Sequence, residues 1–221
     1  MPHQSAAAVT LIECICVLAA LFALAWFLLM PTIHGGVKSS RINCVNNLKN
    51  VGLAFRTAAV DTGEFIFRLP ETVGCTARHA VNAIELWSHF AALSNELSTP
   101  KIIACPSDVR RATSNTWGSV ALTDRNRALS YTLGLDAREE QPQSILSGDR
   151  NLTLDGLPVG MGVLRLATNS LVGFNTNIHV GAGNLLLGDG SVQQVTSGRQ
   201  RESVADAVVA NTNNLIRIVV P

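Results

Sequence analysis

Charged and aromatic residues are scarce in this chain of 221 residues, at 15% and 5% of the composition. The formal net charge is +1, so the chain has no basic surface broad enough to follow a phosphate backbone, and we expect no nucleic-acid partner. The motifs G-x-S-x-G, G-x-x-x-x-G-K-[ST], G-x-G-x-x-G and H-E-x-x-H are also missing. We therefore predict that the protein is not an enzyme.

Lys and Arg are absent from the N-terminal part of the chain, whereas residues 11–30 are apolar apart from Glu13. As a helix this run would be ~30 Å long, which matches the hydrocarbon core of a bilayer. A secretory signal peptide would have a basic start and a shorter apolar stretch, and a buried core helix of this length is unusual at a chain end. The run predicts a transmembrane helix, although Lys38, Arg41 and Lys49 follow it, opposite to the positive-inside rule.

Thr10 and Glu13 stand three residues apart at the start of the apolar run. A threonine followed three residues later by a glutamate forms a capping box, which satisfies free backbone N–H groups at the start of a helix. A charged carboxylate at the edge of a hydrocarbon region is also costly unless it is paired. We therefore expect Glu13 to have a partner, and a newly formed N-terminal amine is the nearest candidate.

Residues 6–13, AAAVTLIE, followed by an apolar run that ends at Pro31, resemble the type III signal of type IV pilins and pseudopilins. In that family a prepilin peptidase cuts after a small residue, usually Gly, and methylates the new first residue, usually Phe. The resemblance implies cleavage between Ala8 and Val9, with Glu13 as the family's glutamate in fifth place. It also implies that Glu13 neutralises the N-terminal amine of a neighbouring subunit and thereby sets the register of a filament.

The same resemblance implies a structural subunit of a type IV pilus or a type II secretion pseudopilus, assembled through its N-terminal helix into a homo- or hetero-filament. The expected partners are prepilin peptidase, other pilin-like subunits and membrane lipid. The expected location is the inner membrane, crossed once, with the N-terminus inside and the head outside. The alternative is a membrane-anchored extracytoplasmic binding module that does not polymerise, with His179 and the loop at residues 137–151 near its ligand.

The chain is expected to contain a leader at residues 1–8, a transmembrane helix half at 9–34, an amphipathic helix half at 35–60 and a globular head at 61–221. Pro31 predicts a bend, because proline lacks an N–H and its ring crowds the preceding turn. In the second half, apolar and small residues recur every three or four positions, which indicates a helix face packed on the head. This face comprises Ile42, Val45, Leu48, Gly52, Phe55 and Ala59.

Within the head, helical spacing predicts a second helix at residues 80–97 and a third at 197–214. Short apolar runs separated by Pro, Asp and Gly predict strands, most economically in an antiparallel sheet. These runs are KIIAC, ALSYTLG, QSILSG, GVLRL, NLLLGDGSVQQV and LIRIVV. The predicted fold class is α+β: a long N-terminal transmembrane and amphipathic helix packed on a small antiparallel β-sheet head with one or two extra helices, as in pilins.

His179 is followed by nine residues and then by Asp189 and Gly190. Together with CPSD at residues 105–108, this spacing is similar to that of a bacterial group of pseudopilin-like proteins, and it extends the resemblance to about residue 194. The Gly-Asp-Gly segment predicts a tight hairpin between two strands, with His179 at its entry. Ser191 adds a third residue type found in catalytic triads, but the hairpin turn already explains Asp189 and Ser191 structurally.

Five cysteines are present, of which Cys14 and Cys16 lie two residues apart in the apolar run and cannot bridge each other on a helix. The other three, Cys44, Cys75 and Cys105, allow one disulfide and one thiol in an oxidising compartment. The resemblance favours Cys44 with Cys105, and Cys75 with Cys105 stays open. No zinc is expected, because no C-x-x-C pair and no suitably spaced histidine is present.

Calcium is a further ion to consider, since some pseudopilins hold calcium in the head. Asp136, Asp149, Asn151 and Asp155 offer oxygen ligands. The segment DRNLTLD does not follow the EF-hand pattern, and aspartates in loops usually cap turns. We therefore expect no cofactor.

Overall fold

The computed structural model describes residues 11–29, 35–60, 62–69, 76, 82–211 and 213–221, with side chains placed in these ranges except at residues 27–29 and 35–39. The chain divides into two units, Met1–Ser39 and Ser40–Pro221. The predictions made for Ala8, Val9, Thr10, Pro31 and Cys75 lie outside the described residues.

The first unit contains helix α1 (Leu11–Leu29), which is apolar on every face apart from Glu13. Its side chains from residue 11 to residue 26 are all exposed, including Leu11 at 82%, Phe22 at 80% and Trp26 at 67%. Among the helices of the described ranges, none is both long and apolar enough to cross a membrane. A span needs about 20 consecutive apolar residues. The prediction of a transmembrane helix is therefore wrong for the described helices.

Within the second unit, helix α2 (Gly35–Val60) has one buried face, because its buried residues recur every three or four positions. These residues are Cys44, Leu48, Val51, Phe55 and Ala59. Ile42 was predicted on this face but is 56% exposed. The ring of Phe55 meets three other aromatic rings edge-on at 5.7–6.2 Å between centroids, which concentrates much of a small aromatic content in one place.

Short helical segments follow α2. They are 3₁₀ turns at Ala83–Glu85, Pro100–Ile103 and Arg125–Ala128, helices α3 (Leu86–Ala91), α4 (Ser94–Leu97) and α5 (Trp117–Ser119), and a π turn at Val120–Asp124. The single helix predicted over residues 80–97 is thus divided into pieces. The strand predicted at KIIAC is wrong: Thr99 caps the backbone N–H of Lys101 and Pro100 presets the first helical position, so the segment forms a 3₁₀ turn.

Nine strands and a last helix, α6 (Ser197–Ala210), complete the described second unit. The strands are β1 (Tyr131–Gly134), β2 (Ile145–Asp149), β3 (Leu152–Leu154), β4 (Leu157–Pro158), β5 (Gly162–Leu166), β6 (Val172–Phe174), β7 (Ala182–Leu187), β8 (Val192–Thr196) and β9 (Ile216–Val220). One sheet has the order β5-β9-β1-β2-β7-β8 and the other the order β4-β3-β6. All of the pairings are antiparallel, so the α+β class with an antiparallel sheet is as predicted.

Two hydrophobic cores lie on the two faces of the larger sheet. Leu186 of β7 belongs to the core that contains α2 and α3, whereas Leu185 and Leu187 belong to the core that contains α6 and the smaller sheet. Because successive side chains of a strand point to opposite faces, consecutive residues of a strand between two cores are buried on both faces. This explains the continuous LLL of β7, and it places β7 between α2 and α6.

Candidate functional site

Glu13 is the acidic residue in the first turn of α1 and lies on an exposed stretch of that helix. The amine that the resemblance assigns to it as a partner belongs to Val9, outside the described residues. A carboxylate in the first turn is stabilised by the partial positive charge of the helix N-terminus. The structure therefore gives Glu13 a local role in helix α1, and its role in assembly stays a prediction.

A disulfide joins Cys44 of α2 to Cys105, which follows the 3₁₀ turn at Pro100–Ile103. This is the pairing that the resemblance favoured. Both cysteines are buried, their Cα atoms are 5.1 Å apart, and they are separated by 61 positions along the chain. Closing a loop of that length lowers the entropy of the unfolded chain enough to stabilise the fold by about 4 kcal/mol. Asn47 adds a hydrogen bond from its Nδ2 to the carbonyl of Ala104 at 3.1 Å.

His179 lies against this disulfide, with its Nε2 3.6 Å from Sγ of Cys105 and 3.4 Å from Oδ2 of Asp149. Its ring is presented by a turn in which Val180 and Gly181 have φ values of 52° and 73°. Valine is β-branched and rarely adopts such a conformation, which costs of order 1–3 kcal/mol. The surrounding structure thus imposes the position of His179 at the expense of local strain.

Asp149 ends strand β2 and is fully buried. Its Oδ2 accepts hydrogen bonds from the backbone N–H and the side-chain Nδ2 of Asn184, at 2.7 and 2.9 Å, while its Oδ1 has no hydrogen-bond partner among the described residues. Burial raises the pKa of Asp149 from 3.8 to about 7, and the bonds from Asn184 and the charge of Arg41 only partly oppose this effect. The carboxyl group is therefore poised to gain or lose a proton near neutrality.

The imidazole of His179 shifts in the opposite direction. Burial, with the nearby charge of Arg41 as a second cause, lowers its pKa from 6.5 to about 4. His179 is consequently neutral at neutral pH. We call Cys44, Cys105, Asp149, His179 and Asn184 the disulfide cluster.

The CPSD segment supplies a second anchor beside the disulfide cluster. Asp108 is buried and accepts two hydrogen bonds from Arg150, at 2.6 and 2.7 Å, and its backbone N–H bonds the carbonyl of Cys105 at 2.9 Å. A bidentate guanidinium–carboxylate pair fixes both side chains in one plane. Because Arg150 directly follows Asp149, this pair holds the end of β2 against the chain segment that carries Cys105.

A catalytic relay is not formed in the disulfide cluster. In a nucleophile–His–acid triad the nucleophile and the acid bind different ring nitrogens. Here Cys105 and Asp149 both face Nε2 of His179. The triad residue types His179, Asp189 and Ser191 are also separated. Asp189 and Ser191 lie in the hairpin turn after β7, whereas His179 precedes that strand.

Metal-ligating atoms are nevertheless brought together. Sγ of Cys44, Sγ of Cys105 and Nε2 of His179 all lie within 4.8 Å of one another. The sequence argument against zinc rested on spacing along the chain, and it did not anticipate that a turn before β7 places His179 beside the sulfurs. Asn184 and Arg41 were also missed, since nothing in their sequence context connects them with Asp149.

The turn at Asp189 and Gly190, which ends the spacing that begins at His179, also contacts the buried face of α2. Arg56 of α2 donates from Nη1 to the carbonyl of Asp189 at 2.6 Å. Gly52 lies against the hairpin so closely that a Cβ there would be 2.6 Å from Cδ1 of Leu186 and 3.4 Å from Cα of Gly190. Gly190 itself has a φ of 84°, which the tight turn requires.

The spacing from His179 to Asp189-Gly190 therefore has a structural meaning. The histidine end of β7 meets α2 at Cys44 through the disulfide, and the glycine end meets α2 near Gly52 and Arg56. Strand β7 lies within the nine intervening residues and runs between these two contacts. The motif thus fastens the β7–β8 hairpin along α2.

The residues considered for calcium are not gathered into one site. Asp136 forms an ion pair with Arg217 at 2.6 Å, Asp149 belongs to the disulfide cluster, and Asp155 lies in the turn between β3 and β4 with a φ of 52°. Asn151 donates to the carbonyls of Asn175 and Ala182 at 3.0 and 3.2 Å. The local contacts or turn positions of these four residues explain their presence without a calcium ion.

The loop proposed to lie near a ligand borders a cavity of about 10 Å³ lined by Asp136, Ala137, Ser144 and Arg217 among others. That volume holds about one water molecule. His179 is 8% exposed and does not line this cavity. Comparison of the chain with protein-family models, with curated proteins and with solved structures found no match.

Proposed function

We propose that the protein is a pilin-like structural subunit that assembles with further copies, or with related subunits, through helix α1. The observation that carries this proposal is the exposure of an apolar helix: every placed side chain of α1 is exposed, and Glu13 is its one charged residue. Exposed apolar surface of this extent marks an interaction site. Burial of apolar surface contributes about 25 cal/mol for each Å² removed from water, and the entropy lost on association opposes it.

A bundle of α1 helices is the partner that we favour. The four alanines of α1, Ala19, Ala20, Ala23 and Ala25, let helix backbones approach closely, while the large side chains around them supply the buried area. A carboxylate in such a bundle requires a counter-charge, because an unpaired buried charge costs several kcal/mol. An N-terminal amine exposed by cleavage before Val9 would supply it for Glu13 of an adjoining copy.

The disulfide supports an oxidising compartment for the second unit, since such bonds persist outside the cytosol. Two cores, one disulfide and a hairpin fastened along α2 make this unit a rigid structural head. In this proposal the head is the outward-facing part of the assembled subunit. Prepilin peptidase and other pilin-like subunits remain the proposed partners.

Replacing Glu13→Ala tests the proposal. We expect the variant to keep the Cys44–Cys105 disulfide and a folded second unit, but to be incorporated into filaments at least tenfold less than the wild type, because the charge that pairs with the neighbouring amine is lost. Incorporation is measured by co-purification of the untagged variant with a tagged wild-type copy.

Glu202→Ala is the matched control, because Glu202 is also a helical carboxylate but is 68% exposed in the second unit and pairs with Arg199 at 3.6 Å. This control should assemble like the wild type. Wild-type incorporation of the Glu13 variant would show that the carboxylate has no part in assembly.

A further inference from the structure

The disulfide cluster has the ligand geometry of a metal site once the sulfurs are separate. Two ligands on one tetrahedral zinc, with Zn–S of about 2.3 Å and Zn–N of about 2.0–2.1 Å, lie about 3.6 Å apart. The observed distance between Sγ of Cys105 and Nε2 of His179 is 3.6 Å. The third atom, Sγ of Cys44, lies within 4.8 Å of both.

We propose that reduction of the Cys44–Cys105 disulfide creates a binding site for one zinc ion, with Cys44, Cys105 and His179 as ligands. The S–S bond breaks when a dithiol reductant donates two electrons and two protons, and the reductant itself becomes a disulfide. Zinc then displaces the two thiol protons and binds two thiolates and a neutral imidazole. The disulfide and the zinc site are therefore alternative states of the same three residues.

Several features beside the sulfurs favour a divalent cation. The carboxylate of Asp149 lies 3.4 Å from Nε2 of His179, which is the separation of two ligands on one ion, and its Oδ1 has no hydrogen-bond partner among the described residues. Two thiolates and one carboxylate would compensate the charges of the zinc ion and of Arg41 nearby. Thiolate and imidazole ligands select zinc over calcium or magnesium.

Backbone conformation and neighbouring contacts hold the three ligands in place, which favours a metal site over a chance approach of their side chains. The strained φ of Val180 fixes the adjacent histidine, and Asp108 with Arg150 holds the segment of Cys105 against the end of β2. Opening the disulfide requires the sulfurs to move apart to only about 3.8 Å, the spacing of two thiolates on zinc. The remaining contacts keep the three ligands in place during that change.

This inference does not rest on the proposed assembly function, because it concerns the interior of the second unit. The experiment uses the full chain in detergent solution with Cys14→Ser, Cys16→Ser and Cys75→Ser, so that only the two cysteines of the site remain. The protein is reduced without oxygen by a phosphine, which supplies the two electrons and becomes a phosphine oxide while water supplies the two protons. The reagent is then removed, and the protein is titrated with Zn²⁺ against a chromophoric chelator. Co²⁺ serves as a spectroscopic probe in a parallel titration.

We expect the reduced protein to bind one equivalent of zinc and the disulfide-bonded protein to bind none. Co²⁺ should give thiolate-to-metal charge-transfer absorption and tetrahedral ligand-field bands. His179→Gln should weaken zinc binding at least tenfold, whereas His89→Gln, which removes another buried imidazole bonded to Thr76 at 2.5 Å, should not change it.

The inference is overturned if the reduced protein binds no zinc. It is also overturned if His179→Gln weakens zinc binding no more than the control His89→Gln does. Circular dichroism of the reduced chain accompanies each titration. A reduced chain that unfolds and is not refolded by zinc counts against the inference, and refolding by one equivalent of zinc counts for it. None of these outcomes depends on filament formation.

Discussion

Asp149 and His179 face each other at 3.4 Å in the interior of the second unit, and burial shifts both groups toward their neutral forms. Neutral forms avoid the cost of burying two charges, which a lone ion pair seldom repays. The result is a pair that holds one proton in the native state between about pH 4 and pH 7, on the carboxyl group of Asp149.

The linkage between folding and pH follows from counting protons in this pair. Between about pH 4 and pH 6.5 the native pair holds one proton on Asp149, and the unfolded chain holds one on His179, so the wild-type pair contributes almost no pH dependence. The shifted pKa values of Asp149 and His179, taken one at a time, change stability with pH in opposite directions. A raised carboxyl pKa gives stability that is lost as pH rises through about 7, and a lowered histidine pKa gives stability that is lost as pH falls toward about 4.

Single substitutions should expose these opposite effects in the disulfide-bonded, metal-free protein. For Asp149→Asn the free energy of unfolding should decrease as pH falls from 6.5 to 4, because only the unfolded His179 binds a proton there. For His179→Gln it should instead decrease as pH rises from 4 to 7. Each slope approaches about 1.4 kcal/mol per pH unit. Urea unfolding at a series of pH values measures both, and equal profiles for the two variants would contradict the assignment.

The contacts of this pair could not be predicted from the sequence. Cys105 and His179 are 74 positions apart, and the loop that brings them together depends on the packing of α2 against the larger sheet. The spacing of His179 and Asp189-Gly190 did point to both ends of β7, but only through a resemblance. Asp149 was noted for its oxygen atoms, and nothing in its local sequence shows that Asn184 would bind it.

Strands and helices were predictable where a local pattern decides the structure. GVLRL forms β5 because it is a short apolar run between turn residues. SGRQRESVADAVVA forms α6 because its apolar residues recur at helical spacing. KIIAC forms a 3₁₀ turn because the preceding Thr99-Pro100 outweighs its strand-like composition. The apolar run from Leu11 forms a helix as predicted, but its predicted membrane crossing is wrong.

The β7–β8 hairpin is held on one side by α2 and on another by the segment at residues 138–144. Gly188 donates its backbone N–H to the carbonyl of Ser144 at 2.8 Å. A Cβ at Gly188 would lie 2.5 Å from Oγ of Ser144 and 2.7 Å from the carbonyl oxygens of Arg138 and Gln141. This glycine therefore permits a contact between two backbone segments.

Gly188→Ala should destabilise the protein by about 1–3 kcal/mol, because the new methyl group meets backbone carbonyls that cannot move away independently. Gly162→Ala is the matched control, since a Cβ at this strand position meets nothing within 4 Å. The control should be neutral or stabilising by about 0.4–1 kcal/mol through the entropy of the unfolded chain. Denaturant unfolding compares the two variants, and equal stability would contradict the close hairpin contact.

Two units of different character share one chain. Met1–Ser39 contains an apolar helix with exposed side chains, and Ser40–Pro221 contains two cores and a disulfide. An apolar helix gains stability only from a partner, whereas the second unit has the buried surface to fold without one. The proposed function therefore depends on association through α1.

The mass of the mature N-terminus provides a direct test of this association, because the proposed pairing of Glu13 requires an amine at residue 9 of another copy. Intact-mass and peptide mass spectrometry should be applied to the protein purified from cells that carry a prepilin peptidase. We predict that the mature chain begins at Val9 and carries one N-terminal methyl group. A chain that retains residues 1–8 would contradict the proposal, since the amine would then lie too far from the carboxylate it is meant to neutralise.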